Sequence, residues 1–417
     1  MGSSNRGDKS ICLAFESEGE YAKSMENEER FRKHLAWMYE ECPELFPVEM
    51  KGGYNLHGFT ESKKQQIKIR RIELKSNGEV YQIRPSFMMP YMVGKTADVD
   101  KALYLMRYGV PYHAISYVFG RNDMYWYRVH VGLGRASIVG TTVKDPAKLP
   151  LDLVADEKHT RVLGEKAYIA TTAAKGCILG AALTESASTE ALSAGYGEFK
   201  QEARELFPNY CPQTVNTDGW EATQQAWKEL FPTITIILCF LHSWLKIRDR
   251  FKRYKELLNT IGEQVWEVYH AKTKAQFSQR IRRLREWTKA KFRRNSLLKE
   301  KLLALCNKAP LFNIAFDFPS AYRTSNMVDR LMNYQDRILY AMQYFHGTRR
   351  SANLYVRSMA LLWNFHPYST RTRAKDPNRY SPFEDLNGFR YHDNWLHNFL
   401  IAASLGGRRK RQQKPLD

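Results

Sequence analysis

Apolar and polar positions alternate along this chain in three distinct ways. From about residue 50 to 87 they follow the period of two of a half-buried strand. Ile67 and Ile69 form one run and Val80, Tyr81 and Ile83 the next, on either side of "SNGE". This pattern predicts a β-hairpin from which Lys68, Arg70 and Arg71 project. A helical stretch, "NEERFRKHLAWMYEEC", precedes it. Residues 96–135 break into three short helical pieces, punctuated by Gly109-Val110-Pro111 and by Gly120. The last two pieces, "PYHAISYVFG" and "RNDMYWYRVHVGLGR", have the helix, glycine turn and second helix of a helix-turn-helix. An ordinary helical hairpin with core aromatics fits the same residues.

Between about 148 and 248 the pattern becomes α/β. "LPLDLVADEKHT" is a strand ending in acids, and "KAYIATTAAKGCILGAALTES" gives two more strands joined at Lys175-Gly176. "TEALSAGYGEFKQEARELF" is helical, "QTVNTD" a strand, "EATQQAWKELF" a helix and "TITIILCFLH" a strand. The order predicts a layered α/β domain. From 246 to 301 apolar residues recur every three to four positions, as in amphipathic helices. "RTSNMVDRLMNYQDRILYAMQYFHG" is a strong helix opened by a Ser or Asn cap, and its His346 is expected to be structural.

Charge changes the picture. The chain of 417 residues carries 64 Lys+Arg against 44 Asp+Glu, a net +20, and residues 246–301 alone hold +12 of it. An excess of one sign on amphipathic helices calls for a polyanionic partner, with nucleic acid ahead of a membrane surface. The six cysteines are scattered without a CxxC pair, and the start lacks an apolar signal region. Both features lead one to expect a soluble, cytoplasmic protein.

Three carboxylates stand out by position. Asp156 closes the first strand of the α/β segment, Asp218 closes a later strand just before Gly219, and Asp329 sits in the first turn of the helix after the basic stretch. Taken singly, Asp218 is a turn residue and Asp329 a helix-cap residue. Gathered at one sheet edge, the three would repel one another unless cations neutralised them, and hard divalent ions with oxygen ligands do that. Glu157 should face the other side of its strand. Asp336, two helical turns beyond Asp329, is the alternative third acid.

With these residues the chain resembles the bacterial insertion-sequence transposases of the DDE/D type. "LVADEKHT", "VNTDGWEATQQAWKELFP" and "RTSNMVDR" carry the likeness over roughly residues 148–365. "CFLH", Cys239 to His242, resembles the C-x-x-H feature of the Mutator-like and related groups. The resemblance implies an RNase H-like mixed-sheet core in two parts, 145–248 and 316–365, separated by an all-helical insertion over 249–315. Ahead of it would lie a leader and helix (1–45), a β-hairpin region in the place of a zinc ribbon (46–95) and a helix-turn-helix (96–140). A C-terminal extension with a basic tail (366–417) would follow. Only Cys42 and His57 remain near the hairpin, so no zinc is expected there.

By the same resemblance, Asp156, Asp218 and Asp329 would bind two Mg²⁺ (or Mn²⁺) ions, with Cys239 and His242 structural beside them. The activity implied is hydrolysis at the ends of a mobile element and strand transfer into target DNA. An inactive DNA-binding relative or an RNase H-like nuclease is the alternative. Double-stranded DNA, both terminal inverted repeats and target, would be the partner of a homodimer or larger assembly, associated with a bacterial nucleoid. DNA contacts are expected from Arg70, Arg71, Arg121, Asn122, Tyr125, Arg128, Arg282, Arg283, Arg293 and Arg294.

Overall fold

The structure, a computed structural model, describes residues 9–62, 65–293 and 296–408. It is mixed α/β, organised around two mixed sheets. The first has the order β1-β4-β3-β2, formed by β1 (Ser10–Leu13), β2 (Tyr54–Ser62), β3 (Ile67–Leu74) and β4 (Val80–Pro85). The anticipated hairpin is β3–β4, with Glu73 opposite Val80. The segment before it adds β1, parallel to β4. One face of this sheet, with Ile11, Ile72, Tyr81 and Ile83, shares its core with Tyr21 and Met25 of α1 (Glu18–Glu26) and Phe31 and Leu35 of α2 (Glu28–Glu41).

The second sheet has the order β7-β6-β5-β8-β9. Strands β5 (Asp152–Val162), β6 (Glu165–Ala174) and β7 (Cys177–Thr184) form an antiparallel meander, turned at Lys175 (φ 51°) and Gly176 (φ 81°). Strands β8 (Thr214–Thr217) and β9 (Thr235–Leu238) then run parallel to β5. Two helices, α7 (Thr189–Leu206) and α8 (Glu221–Leu230), cover one face. Gly195 of α7 lets it approach: a Cβ there would lie 2.5 Å from Thr184. The opposite face takes α14 (Asn326–Ala341) and α15 (Arg349–Phe365), with Gln335 reaching Thr171.

β7 is an edge strand, and α15 satisfies its free backbone. Asn353 accepts from Leu183 N–H, and Asn364 bonds both N–H and C=O of Ile178. An open edge would otherwise template pairing with another chain. Ahead of the sheet lie α3 (Thr96–Met106), α4 (Tyr112–Phe119), α5 (Asp123–Leu133) and α6 (Ile138–Thr142). The three helical pieces expected before residue 135 are therefore present, and α5 packs on α15 through Trp126, Val129, His130 and Leu133.

Between β9 and α14 the chain is helical: α9 (Phe240–Arg250), α10 (Lys255–Tyr269), α11 (Lys274–Lys291), α12 (Leu297–Asn307) and α13 (Ala309–Asn313). These helices own a separate core from Leu238 to Phe312. The helical region begins at Phe240, earlier than expected. The apolar run "TITIILCFLH" leaves the sheet at Leu238 because Cys239 caps a helix there, its sulfur accepting from His242 N–H.

The C-terminal segment is no appendage. After α16 (Thr370–Lys375) and α17 (Pro382–Asn387), α18 (Trp395–Ala402) buries Trp395, Leu396, Phe399 and Leu400 in the same core as β1 and α3. Residues 1–8 of the leader and 409–417 of the tail lie outside the described residues. No helix among the described residues is long and apolar enough to cross a membrane.

Where α5 ends, the main chain of α15 leaves no room for a side chain. A Cβ on Gly134 would fall 1.8 Å from the Leu354 carbonyl oxygen, whereas one on Gly132 meets nothing within 4 Å. Gly134→Ala should therefore cost about 1–3 kcal/mol or more through overpacking. Gly132→Ala should be neutral or stabilise by about 0.5–1 kcal/mol by removing a helical glycine. Urea denaturation of the two variants checks the pair.

Candidate active site

Register places two of the carboxylates side by side. Val154 of β5 is paired with Asn216 of β8, so two residues further on Asp156 stands beside Asp218. Asp156 is not at a strand end, as its sequence suggested; β5 continues to Val162. The edge exists because β8 stops at Thr217, and Gly219 (φ 94°) turns the chain away under Leu238, where a Cβ would sit 2.5 Å from Leu238 Cδ1. On the next strand Thr217 is paired with Leu238, which puts Cys239 level with Asp218.

Two helix starts arrive at this edge. Helix α9 brings His242 in its first turn and α14 brings Asp329 in its first turn. One ligand atom each from Asp156, His242 and Asp329 lie within 4.8 Å of one another. The two starts are tied together by Ser325. Its N–H donates to Cys239 Sγ at 3.3 Å, and its hydroxyl lies 3.3 Å from that sulfur and 3.1 Å from His242 Nδ1. Ser325 occupies the N-cap position of α14, yet its hydroxyl is turned to this cluster and makes no cap bond. Backbone bonds from Cys239 N–H to Thr217 C=O and from Phe240 N–H to Arg323 C=O complete the clamp.

The electrostatics follow from crowding like charges at a half-buried edge. Burial pushes the Asp156 carboxyl up to about 6; Asp218 and Asp329 push the same way, while His242 opposes. Burial also raises Asp329, again against His242. His242 is raised to about 9 by its hydrogen bond to Cys239 and by Asp156 and Asp329. Burial pushes the Cys239 thiol up, but hydrogen bonds from His242 and Ser325 outweigh it and leave it below its ordinary value. Asp218 accepts from Trp220 N–H at 2.9 Å and lies 3.6 Å from Lys246 Nζ, one turn beyond His242 on α9. Two cations of one helix thus face the acids. The N-termini of α9 and α14 add partial positive charge.

Glu157 points to the other face, as alternation requires. It accepts from Tyr196 of α7 and Thr223 of α8 at 2.6 Å each, and burial lifts it to about 7. Asp336 is bound 2.6 Å from Lys158 and is outside the cluster, so α14 contributes Asp329 there. His346 is exposed in the α14–α15 connection and is not among the clustered groups.

The expected DNA contacts divide. Arg121 and Arg128 are exposed, as are Arg282, Arg283 and Arg293; Arg294 lies outside the described residues. Arg70 is corrected: it is 3% exposed, on the helix-facing side of β3, held between Phe31 and Phe59 and bonded to Met25 C=O. Arg71, one residue on, takes the opposite face and lines an open cleft. Tyr125 is corrected too: its hydroxyl donates to Val93 C=O at 2.7 Å, and Arg121 lies over its ring. The Asn122 carbonyl is used to cap α5, accepting from Tyr125 N–H at 2.7 Å.

The C-x-x-H resemblance implies a supporting role for His242, and the geometry groups it with Asp156 and Asp329. Asp218 stands beside Asp156 but is not among these clustered ligand atoms. The i+3 spacing from a helix-capping Cys was the available signal. Ser325 and Lys246 had none, since both depend on how α9 and α14 meet.

His242 gains its partners only on folding, so its contribution to stability is fully present below about pH 6.5 and is lost as pH rises through about 9. With solvent screening, His242→Gln should cost about 1–2 kcal/mol at neutral pH without divalent ions, and the deficit should close above pH 9. Urea titrations of both proteins across that range check it.

Comparison with known protein families and with curated proteins finds no match to this chain, so the functional argument rests on this geometry.

Proposed function

We propose that the chain is a DNA transposase with an RNase H-like catalytic core. The observation that carries the proposal is Asp156 and Asp218 on adjacent parallel strands, met by Asp329 from a helix start, in a sheet whose meander is flanked by two parallel strands on the β5 side. The resemblance in the sequence to DDE/D transposases supports the same assignment.

The donor set fits divalent cations. Carboxylate oxygens suit Mg²⁺ or Mn²⁺, and the imidazole favours Mn²⁺. Bound there, such ions would supply charge neutralisation at the attacking and leaving oxygens of an in-line phosphodiester displacement. The chain's own residues do the rest. Asp156, Asp218 and Asp329 supply the negative charge, and the Ser325–Cys239–His242 clamp fixes the start of α14 against the sheet. Lys246 and His242 balance the carboxylates when no cation is bound. Exposed Arg282, Arg283 and Arg293 of the helical region would hold DNA phosphates in a salt-sensitive way. Met124 and Arg128, exposed on α5, and Arg121 in the turn before it, exposed although it lies over the Tyr125 ring, are the side chains that would meet a groove. Two element ends must be joined, so a dimer or larger assembly on DNA belongs to the proposal.

The test uses purified protein and the DNA flanking its gene, with Mg²⁺ or Mn²⁺. Strand cleavage at discrete ends should fall on the order of 10³-fold or more in Asp156→Asn, Asp218→Asn and Asp329→Asn, with DNA affinity held. Asp336→Asn should stay within a few fold of wild type. Cleavage that survives Asp218→Asn would sink the proposal. Cleavage without end preference would leave a nuclease, and binding without cleavage a DNA-binding relative.

A further inference from the structure

Beyond Asp329, helix α14 carries an exposed surface that, among the described residues, only Lys158 engages, at Asp336. Its buried side is Val328, Leu331, Met332, Tyr334, Gln335, Ile338 and Leu339. Asn333, Asp336 and Tyr340 lie within about 60° of Asp329 on the helical wheel, with Arg330 and Arg337 along one flank. All five are exposed, and Tyr340 is 82% exposed. The one acid among the five, Asp336, is neutralised by Lys158. Among the described residues, Arg330, Asn333 and Tyr340 make no side-chain hydrogen bond, ion pair or ring contact.

The far end of this stripe is built with some cost. Gln343 and Tyr344, just after α14, are consecutive non-glycine residues at φ 53° and 70°. Left-handed residues of this kind cost about 1–3 kcal/mol each where sterically disfavoured. Their turn leaves Tyr344 39% exposed while burying Phe345 against the tip of β5. The corner before α4 docks at the same end: a Cβ on Gly109 would lie 3.2 Å from Arg337 C=O, and neighbouring Tyr108 is 43% exposed. The stripe therefore runs from the carboxylate cluster to the base of the helix pair α4–α5.

We infer that this stripe is a track for an unpaired DNA end. The inference rests on the DNA-processing reading of the Asp156–Asp218–Asp329 edge. Arginines flanking a neutralised face complement phosphates, and an exposed tyrosine offers a stacking platform. In a duplex the base faces are already covered by their neighbours, so Tyr340 has a partner only where bases are unpaired. Tyr340 is eleven residues beyond Asp329, about 16 Å along the helix. That is the span of roughly five nucleotides at the spacing of a stacked strand, and fewer when extended. A DNA end held at α4–α5 enters the stripe at Tyr340 and reaches the carboxylates at Asp329.

The experiment compares a short blunt duplex with the same duplex forked by a few unpaired nucleotides, in buffer without divalent ions. Fluorescence anisotropy gives affinities, and 2-aminopurine in the unpaired segment reports stacking. Wild type should prefer the fork by about fivefold or more and quench the 2-aminopurine. Tyr340→Ala should lose preference and quenching, Tyr340→Phe should keep both, and Arg337→Ala should weaken fork binding. Equal affinities for fork and blunt DNA in the wild type, or a preference untouched in both Tyr340→Ala and Arg337→Ala, would overturn the inference. Because no divalent ion is present, these outcomes are separate from the catalytic test: Asp218-dependent cleavage without fork preference refutes the track alone. Fork preference without any cleavage keeps the track and refutes the transposase.

Discussion

The contact between Ser325 and the Cys239–His242 turn is the constraint on which the site depends. It joins chain segments 86 residues apart, at the two ends of the helical region that interrupts the α/β layer. Without it, α14 could pack on the sheet by its apolar side and still slide along it, carrying Asp329 out of reach of Asp156. Sulfur and hydroxyl together fix that register with short-range, directional bonds. Arg323, two residues before Ser325, adds a second fastening. Its guanidinium donates to the carbonyls of Tyr269 and Ala271 and lies over the Tyr269 and Phe316 rings, so the helical region is pinned to the same joint.

The acids at the edge repel one another, and the fold answers with fixed cations. His242 faces Asp156 and Asp329, and Lys246 faces Asp218 one turn later on the same helix. A single helix therefore neutralises both sides of the cluster. Replacing His242 with an acid would add a like charge beside two half-buried carboxylates and remove the cation that faces both. His242 also opposes the upward push that burial and the neighbouring acids give the Asp156 carboxyl.

The strands β5 to β9 were visible in the sequence because they depend on local pattern: alternation sets the strands, and the stop of β8 before Asp218 shows as a break at Gly219. That Asp156 lies mid-strand, and that His242 joins it and Asp329, depends on register and helix packing. The misplaced residues depend on packing instead. Arg70 and Arg71 are adjacent and chemically alike, and only the position of α1 and α2 decides that the first is buried between phenylalanines while the second faces a cleft. Tyr125 looked like an exposed reader on an amphipathic helix, but α5 turns that ring toward the loop at Val93. Residues 366–408, expected as a C-terminal extension, belong to the core because α18 packs against β1 and α3.

Helices α5 and α15 meet backbone to backbone. Gly134 allows the two backbones to approach too closely for any side chain. Arg357 of α15 then donates to the carbonyls of Gly134 and Ala136 while pairing with Glu198 and Glu202 of α7. A guanidinium so enclosed ties α15 to two other segments at once, the end of α5 and α7, and breaking either link leaves a buried charge under-satisfied. The helix pair α4–α5 is accordingly fastened to the same helix that covers the edge strand β7 of the second sheet. A helix pair on a flexible linker could take many orientations relative to the carboxylates. A pair locked through Arg357 has one, so the placing of α4–α5 relative to the edge of β5 and β8 is set by where α5 meets α15.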